Sequence, residues 1–116
     1  MSLDFIVRPF LDTDRAFVAD AWLNTLRAGS EEAKVSDWQS FKARKNAMID
    51  GILDDKATEV AIAAPKGDAL TIYGYLVWRP TRFPGAPALI HMLFVKKAFR
   101  RNGIATELLR VDGIQL

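Results

Sequence analysis

Residues 95–105 read VKKAFRRNGIA, and they join two segments of different character. The segment before them, from Leu89 to Val95, is almost entirely apolar and predicts a strand. The segment after them, from Thr106 to Arg110, predicts the start of a helix. A strand, a short basic turn and a helix entered through Gly103 can direct free backbone N–H groups at a phosphate. The stretch therefore predicts an anion-binding turn between a strand and a helix.

The length and composition indicate one globular domain spanning residues 1–116. The chain has 116 residues, of which 50% are hydrophobic and 26% charged, and its formal net charge is +2. Such a length supports one hydrophobic core, and so small a charge neither requires nor excludes an anionic partner. Because there is no cysteine and only one histidine, disulfides, cysteine nucleophiles and thiolate metal sites are excluded and no metal site is expected.

The ends and apolar runs of the chain indicate its compartment. The first residues, MSLD, lack the basic stretch and apolar core of a secretory signal. No apolar run approaches the ~20 residues that span a bilayer. The sequence therefore predicts a cytoplasmic protein with no membrane partner.

The first half of the chain predicts a strand followed by two helices. Residues 5–8 form a short strand that Pro9 stops. Asp12 is a plausible N-cap for a helix that runs to about Arg27. A capping box over residues 36–39, serine with glutamine three residues later, opens a second helix that ends near residue 53.

The second half predicts three strands and a last helix. Residues 59–64 and 70–79 form two strands joined by a turn at 65–68. In the second of these strands, one set of side chains points one way (Leu70, Ile72, Gly74, Leu76 and Trp78) and another set points the other way (Tyr73, Tyr75 and Val77). A proline-rich loop over residues 80–87 leads to the last strand. The predicted order is β-α-α-β-β-β-α.

The spacing of Arg100, Gly103 and Ala105 resembles the arginine/glutamine-x-x-glycine-x-glycine/alanine signature of the GNAT N-acetyltransferases. In that family the signature grips the pyrophosphate of acetyl-coenzyme A (acetyl-CoA) and lies between the fourth strand and the third helix. Family domains begin with a strand and two helices and continue through three mostly antiparallel strands, as predicted here. The opening residues 6–9 and the residue pattern at 73–77 are also similar to the corresponding segments of the family. The resemblance implies an α+β fold with a mixed, mostly antiparallel sheet flanked by helices.

The resemblance also implies a binding site for acetyl-CoA. Three residues of the fourth strand would hold the pantetheine arm as if it were another strand, and one N–H there would stabilise the oxyanion. The signature amides would face the pyrophosphate, and Lys96 and Lys97 would serve a 3′-phosphate or raise the positive field. The implied cofactor-binding residues are Leu93, Phe94, Val95, Arg100, Arg101, Asn102, Gly103, Ile104, Ala105 and Thr106. The implied reaction is direct acetyl transfer to an amine, with no covalent enzyme intermediate and no metal.

His91 is the single candidate for a catalytic side chain. It lies on the fourth strand, with the side-chain parity of Leu89, Leu93 and Val95. A histidine with a pKa near 6.5 can take a proton from an ammonium group, and a structural histidine in a half-buried strand explains the same residue. The general-base glutamate of some family members falls at Leu89, so that part of the pattern does not match.

The chain is short for the family, which normally adds further strands and a helix after the third helix. Only residues 111–116 follow here. We therefore expect an open sheet edge, which is hazardous in a free monomer, and pairing through it in a homodimer is the simplest way to cover it.

Three functions remain open from the sequence. The chain is an N-acetyltransferase, or a catalytically degenerate GNAT-like domain that acts as a CoA-binding or assembly module. A third interpretation treats the basic residues as a nucleic-acid surface (Lys42, Arg44, Lys45, Lys96, Lys97, Arg100 and Arg101), against which stand the small net charge and the lack of a recognised motif. The acceptor is not identified: Glu31 and Glu32, in the predicted loop 28–35, either attract a cationic amine or are ordinary solvated charges.

Overall fold

Four strands form one antiparallel sheet in the computed structural model, which describes residues 3–68, 70–81, 83 and 86–110. The strands are β1 (Ile6–Pro9), β2 (Glu59–Ala64), β3 (Gly74–Arg79) and β4 (Leu89–Val95). They lie in the order β1-β2-β3-β4, and each strand is antiparallel to its neighbour. The predicted α+β class is confirmed, the predicted element order holds except for one additional short helix between the two predicted ones, and β4 forms one edge of the sheet.

Within the described ranges, four α-helices accompany the sheet: α1 (Arg15–Gly29), α2 (Glu31–Val35), α3 (Trp38–Asp54) and α4 (Ile104–Leu108). A short 3₁₀ turn, Asp12–Asp14, precedes α1. Another, Lys97–Phe99, precedes the loop that leads to α4. Helix α2 lies where the sequence predicts a loop. The side chain of Ser30 caps it by accepting a hydrogen bond from the N–H of Ala33, and Glu32 pairs with Arg44 and Lys45 of α3. Glu32 is therefore used to hold α2 against α3.

The two faces of the sheet carry different helices. Val18, Trp22 and Leu23 of α1 pack with Phe41 and Ile49 of α3 against one face. Ile104 and Leu108 of α4 pack against the other face. The basic residues of α3 and those of the loop before α4 therefore lie on elements that cover opposite faces, which separates the two halves of the predicted nucleic-acid surface.

The predicted alternation along β3 is right within the strand and wrong before it. Tyr75 and Val77 pack on the α1 and α3 side, whereas Leu76 and Trp78 pack on the α4 side, as period-2 geometry requires. Ile72, however, joins the side of Tyr75. The ladder begins only at Gly74, because the side chain of Asp68 binds the N–H groups of residues 70 and 71 in a local turn.

The helix starts also differ from the prediction. Asp37, not Ser36, caps α3: its carboxylate accepts from the N–H of Ser40 at 3.0 Å and from the hydroxyl of Ser40 at 2.8 Å. At the first helix, Asp12 opens a 3₁₀ turn and α1 begins at Arg15. Pro9 is the last residue of β1 instead of lying outside it. Within the described part of the chain, no helix combines the length and the apolar character needed to cross a membrane.

Asp14 anchors the crossing from β1 to α1. It is 2% exposed and accepts two hydrogen bonds from the guanidinium of Arg8, at 2.7 and 2.9 Å, and a third from the N–H of Leu11 at 2.7 Å. Burial opposes the charged carboxylate, but these bonds outweigh it and hold the pKa of Asp14 below its usual value. A two-point pair of this kind fixes the angle at which α1 leaves β1.

Candidate functional site

The loop between β4 and α4 contains two residues in the left-handed backbone region. Gly103 has φ = 78° and Arg101 has φ = 68°. Glycine adopts this conformation without penalty, whereas for arginine it costs about 1 kcal/mol. A turn built in this way brings neighbouring N–H groups to one side of the backbone, where they can hold an anion.

Six consecutive backbone N–H groups of this loop are available. Among the residues that the structure describes, none accepts a hydrogen bond from the N–H groups of residues 101–106. The first N–H inside the helix to find a partner is that of Glu107, which donates to the carbonyl of Gly103 at 3.0 Å. Helix α4 has five residues, so its dipole is smaller than that of a long helix. The free N–H groups are thus the main anion-binding feature of the loop.

Side chains of the loop itself hold it in this shape. Asn102 donates from Nδ2 to the carbonyls of Phe99 and Arg100, at 3.0 and 3.2 Å. Its Oδ1 accepts from the N–H of Leu3 at 3.3 Å. Arg100 donates from Nε to the carbonyl of Val95 at 3.1 Å. These bonds tie the turn to the N-terminal segment and to the end of β4, and they stabilise the strained conformation of Arg101.

The outer edge of β4 presents backbone groups toward the same loop. The N–H of Lys96 donates to the carbonyl of Tyr73 at 2.8 Å, and the carbonyl oxygen of Phe94 faces Gly74, so these groups point toward β3 and the segment before it. Since these groups alternate along an antiparallel strand, the N–H and C=O of Leu93 and Val95 point away from β3. The bond from Arg100 to the Val95 carbonyl agrees with this direction.

Nine of the ten residues predicted to bind the cofactor line one cavity of about 500 Å³. They comprise Leu93, Phe94 and Val95 from the strand, Arg100, Arg101 and Gly103 from the loop, and Ile104, Ala105 and Thr106 from the helix. Thr25, Met92 and Phe99 complete the lining. The tenth, Asn102, does not line this cavity, and its side chain serves the loop as described above.

His91 lies at an irregularity of β4. In the pairing of β3 with β4, Val77 is opposite Met92 and Trp78 is opposite Ile90, so His91 has no opposite residue. This is the arrangement of a β-bulge. His91 is half-buried and lines neither this cavity nor the one described next. A bulge interrupts the alternation of side chains along a strand. The prediction that His91 points to the same side as Leu93 assumes uninterrupted alternation, so it does not hold through the whole strand.

A second cavity, of about 550 Å³, adjoins the first. One face of α1 forms most of its wall, and two residues of the β4 end complete it (Phe17, Asp20, Ala21, Asn24, Thr25 and Ala28; Phe94 and Lys96). Thr25 and Phe94 line both cavities. Lys96, a predicted phosphate ligand, lies over the ring of Phe17 at 4.8 Å from its centroid and does not line the first cavity.

Neither tyrosine of the chain lines either cavity. Tyr75 is fully buried and donates its hydroxyl to the carbonyl of Val18 at 3.3 Å. Burial raises the pKa of Tyr75 well above its ordinary value, so the phenol stays neutral. Tyr73 packs its ring against Phe99, with centroids 4.3 Å apart.

The acidic residues near the first two helices divide into paired and unpaired groups. Glu31 pairs with Lys34, and Glu32 pairs with Arg44 and Lys45, which agrees with their interpretation as ordinary surface charges. Asp20 is exposed and makes no hydrogen bond or ion pair with any described residue. Sequence reasoning missed Asp20, although its helical spacing with Phe17, Asn24 and Ala28 marks a second face of α1.

Across the described ranges, no group of three or more histidine, aspartate and glutamate side chains lies close enough together to hold a metal ion.

Comparison with known proteins gives a family match over most of the chain. Residues 20–111 match the sequence profile of the acetyltransferase (GNAT) family. The sequence matches no curated protein.

Several solved structures share the fold at low sequence identity. A Pyrococcus furiosus protein assigned as an acetyl transferase has a TM-score of 0.75 at 14% identity, over 92% of this chain and 70% of that one. The ribosomal-protein-alanine N-acetyltransferase of Brucella melitensis biovar Abortus 2308 has a TM-score of 0.60 at 15% identity, over 91% and 66% of the two chains. AAC(6')-Iy, solved with the bisubstrate analogue CoA-S-monomethyl-acetylneamine, has a TM-score of 0.58 at 15% identity, over 91% and 67%. At these identities the likeness shows the fold.

Proposed function

The chain belongs to the GNAT family of acetyltransferases, and from this premise we propose that it transfers the acetyl group of acetyl-CoA directly to the nitrogen of an amine. One observation carries the proposal: six N–H groups, at residues 101–106, have no partner among the described residues and adjoin a cavity that also reaches the outer edge of β4. A pyrophosphate needs several hydrogen-bond donors in one place, and a pantetheine arm needs an unpaired strand edge beside it.

The loop would bind the pyrophosphate chiefly through its backbone. Gly103 has no side chain, and nothing lies within 4 Å of the position that a Cβ would take, so an anion can approach closely. Arg101 is exposed and lines the cavity, so its guanidinium adds positive charge there. Arg100, held against Val95, keeps the loop beside the strand before the cofactor arrives. Such preorganisation lowers the ordering cost of binding.

The edge of β4 would bind the pantetheine arm and assist the reaction. Leu93 offers its N–H and C=O, and Val95 its N–H, to an added strand-like ligand. An N–H at this edge, which we assign to Leu93, would donate to the thioester oxygen as negative charge develops on it. One donor of this kind typically contributes a factor of about 10²–10³ in rate.

The chemistry needs no covalent enzyme intermediate. The amine, in its neutral form, attacks the carbonyl carbon of the thioester. The N–C bond forms, the C–S bond breaks, and coenzyme A leaves as a thiolate that takes up a proton. The attacking nitrogen loses a proton to water or to a side chain.

A second candidate function is a CoA-binding module without catalytic activity. The observation that favours it is the lining of the first cavity, in which the described residues include no histidine, carboxylate or tyrosine. A domain of this kind would retain the pyrophosphate loop and the strand edge but would lack an acid for the leaving thiolate.

Product analysis separates the two functions. Purified protein is incubated with acetyl-CoA and, one at a time, a panel of primary amines, and both released thiol and N-acetylated product are quantified. Acetyl transfer predicts equal amounts of thiol and acetylated amine, above the hydrolysis that occurs without an amine. Binding of acetyl-CoA without acetylation of any amine in the panel would favour the non-catalytic module.

A further inference from the structure

The second cavity contains two opposite charges that do not pair with each other. Asp20 forms no hydrogen bond or ion pair with any described residue. Lys96 contacts the ring of Phe17 through its ammonium group, and none of the ion pairs of the described residues includes it. Unlike charges that line one cavity and leave each other unpaired favour a ligand that carries both signs of charge.

Two aromatic rings form part of the same cavity wall. The rings of Phe17 and Phe94 meet edge to face, with centroids 6.1 Å apart, and both line the cavity. Rings in this arrangement form a surface for an apolar or aromatic side chain. At about 550 Å³, the cavity falls within the range of small-molecule sites, ~300–1,000 Å³.

The position of the cavity connects it to the proposed reaction. Thr25 and Phe94 line both cavities, and Phe94 follows Leu93, the residue that we assign to the thioester oxygen. A ligand in the second cavity therefore reaches the carbonyl carbon of a thioester that lies along β4. Asn24, one helical turn from Asp20 on α1, adds an amide without a partner among the described residues.

We propose that the second cavity binds the acceptor, and that the acceptor is a free amino acid with an apolar or aromatic side chain. This inference rests on the proposed acetyl transfer. Asp20 binds the α-ammonium group, Lys96 binds the carboxylate, and Phe17 and Phe94 bind the side chain. Asp20 and Lys96 are thus residues that determine acceptor specificity.

Bonds and protons balance in this transfer. The bound ammonium group gives up one proton to water, and the neutral nitrogen attacks the thioester carbonyl carbon. As the N–C bond forms and the C–S bond breaks, the nitrogen loses a second proton and the departing thiolate gains one. An amino acid and acetyl-CoA become an N-acetylamino acid, coenzyme A and one proton. The product amide has no positive charge, so its attraction to Asp20 is lost and its release is favoured.

The test compares four probes that share a phenyl ring and differ in charge. L-Phenylalanine carries both charges, phenethylamine lacks the carboxylate, 3-phenylpropanoate lacks the amine, and L-phenylalaninamide represents the N-terminus of a peptide. Each is titrated calorimetrically into the protein, with and without saturating coenzyme A, so that no turnover occurs. We expect L-phenylalanine to bind about fivefold more tightly than each other probe, since one exposed ion pair contributes up to ~1 kcal/mol.

Two variants test which protein side chain binds which charged group of the amino acid. Lys96→Gln is expected to remove the preference for L-phenylalanine over phenethylamine. Asp20→Asn is expected to remove the preference for L-phenylalanine over 3-phenylpropanoate. Lys42→Gln and Asp12→Asn, which alter exposed residues lining neither cavity, are expected to keep both preferences.

The inference is overturned if phenethylamine or L-phenylalaninamide binds as tightly as L-phenylalanine, if none of the probes binds, or if the variants leave the preferences unchanged. Failure of the proposed function has a different signature: no N-acetylated amine is then formed from acetyl-CoA, whereas the preference among the four probes, measured without turnover, persists.

Discussion

The guanidinium Nε of Arg100 donates a hydrogen bond to the carbonyl oxygen of Val95 at 3.1 Å. This bond joins the start of the loop between β4 and α4 to the end of the edge strand. It therefore couples the strand wall of the first cavity to its loop wall. The two bonded residues are five positions apart in sequence.

Replacing this arginine with lysine keeps the charge and removes the bond. A lysine has no donor at the position of Nε, so the loop N–H groups of Arg100→Lys are less preorganised. We expect the Kd for acetyl-CoA to rise about tenfold, measured by calorimetry. Arg110→Lys, at an exposed residue paired with Glu107, is the control and should change the Kd little. An unaltered Kd in Arg100→Lys would show that the bond does not organise the site.

Asn102 is expected to contribute to stability more than to chemistry. Asn102→Ala removes three hydrogen bonds and should lower the free energy of unfolding by about 2 kcal/mol, measured by urea denaturation. Asn46→Ala, at a position inside α3, is the control and should raise stability slightly, because alanine is the better helix former. Equal midpoints for the two variants would contradict the role given to Asn102.

The lowered pKa of Asp14 predicts that the stability of the fold depends on pH. Its pKa in the folded protein is lowered from 3.8, so its contribution is fully present above pH ~4 and is lost as the pH falls through the lower, folded value. Asp14→Asn breaks a buried ion pair and should cost about 3 kcal/mol at pH 7. Denaturation at a series of pH values should show the difference between parent and variant shrinking below pH ~4. A difference that does not depend on pH would contradict this assignment.

Gly74 permits the close pairing of β3 with β4. A Cβ at this position would lie 2.5 Å from the carbonyl oxygen of Phe94, which is backbone and cannot rotate away. Gly74→Ala should therefore destabilise the protein by about 2 kcal/mol or more and weaken acetyl-CoA binding as β4 moves. Gly51→Ala, with nothing within 4 Å of its Cβ, should stabilise α3 by about 0.5–1 kcal/mol. Thermal melting should show a lower melting temperature for Gly74→Ala than for the parent, and a higher one for Gly51→Ala. An unchanged melting temperature in Gly74→Ala would contradict this geometry.

Much of the fold follows from local patterns in the sequence. Strands β2 and β4 have the predicted bounds, Glu59–Ala64 and Leu89–Val95, because apolar runs bounded by turn residues specify strands clearly. Helix α2 has a recognisable start: Ser30 followed by two glutamates satisfies the rules for a helix N-terminus. The apolar pattern nevertheless predicts a loop there, because five residues are too few to show helical periodicity.

The resemblance to the family predicts a nearly contiguous set of cofactor-binding residues. The signature from Arg100 to Thr106 and the strand before it lie in one stretch, and nine of the ten residues named line one cavity. The bulge at His91 is hidden in the sequence, since an extra residue in a strand leaves the apolar pattern intact. That Asp20 and Lys96 line one cavity depends on the packing of α1 beside the end of β4, which no local sequence pattern records.

Binding of acetyl-CoA at the β4–α4 loop is the central claim, and two glycine variants test it most directly. Gly103→Asp places a side chain and a negative charge in the loop that faces the pyrophosphate. Gly67→Asp is a matched control, because Gly67 has φ = 82° against 78° for Gly103 and the backbone strain is therefore the same. At both glycines, no atom of the described residues, apart from the glycine and its two chain neighbours, lies within 4 Å of the position that a Cβ would take.

The measurement is calorimetric titration of acetyl-CoA into the parent and both variants. We predict micromolar binding by the parent and by Gly67→Asp, and no detectable binding by Gly103→Asp. Equal affinities for the two variants, or no binding by the parent, would contradict the proposed site.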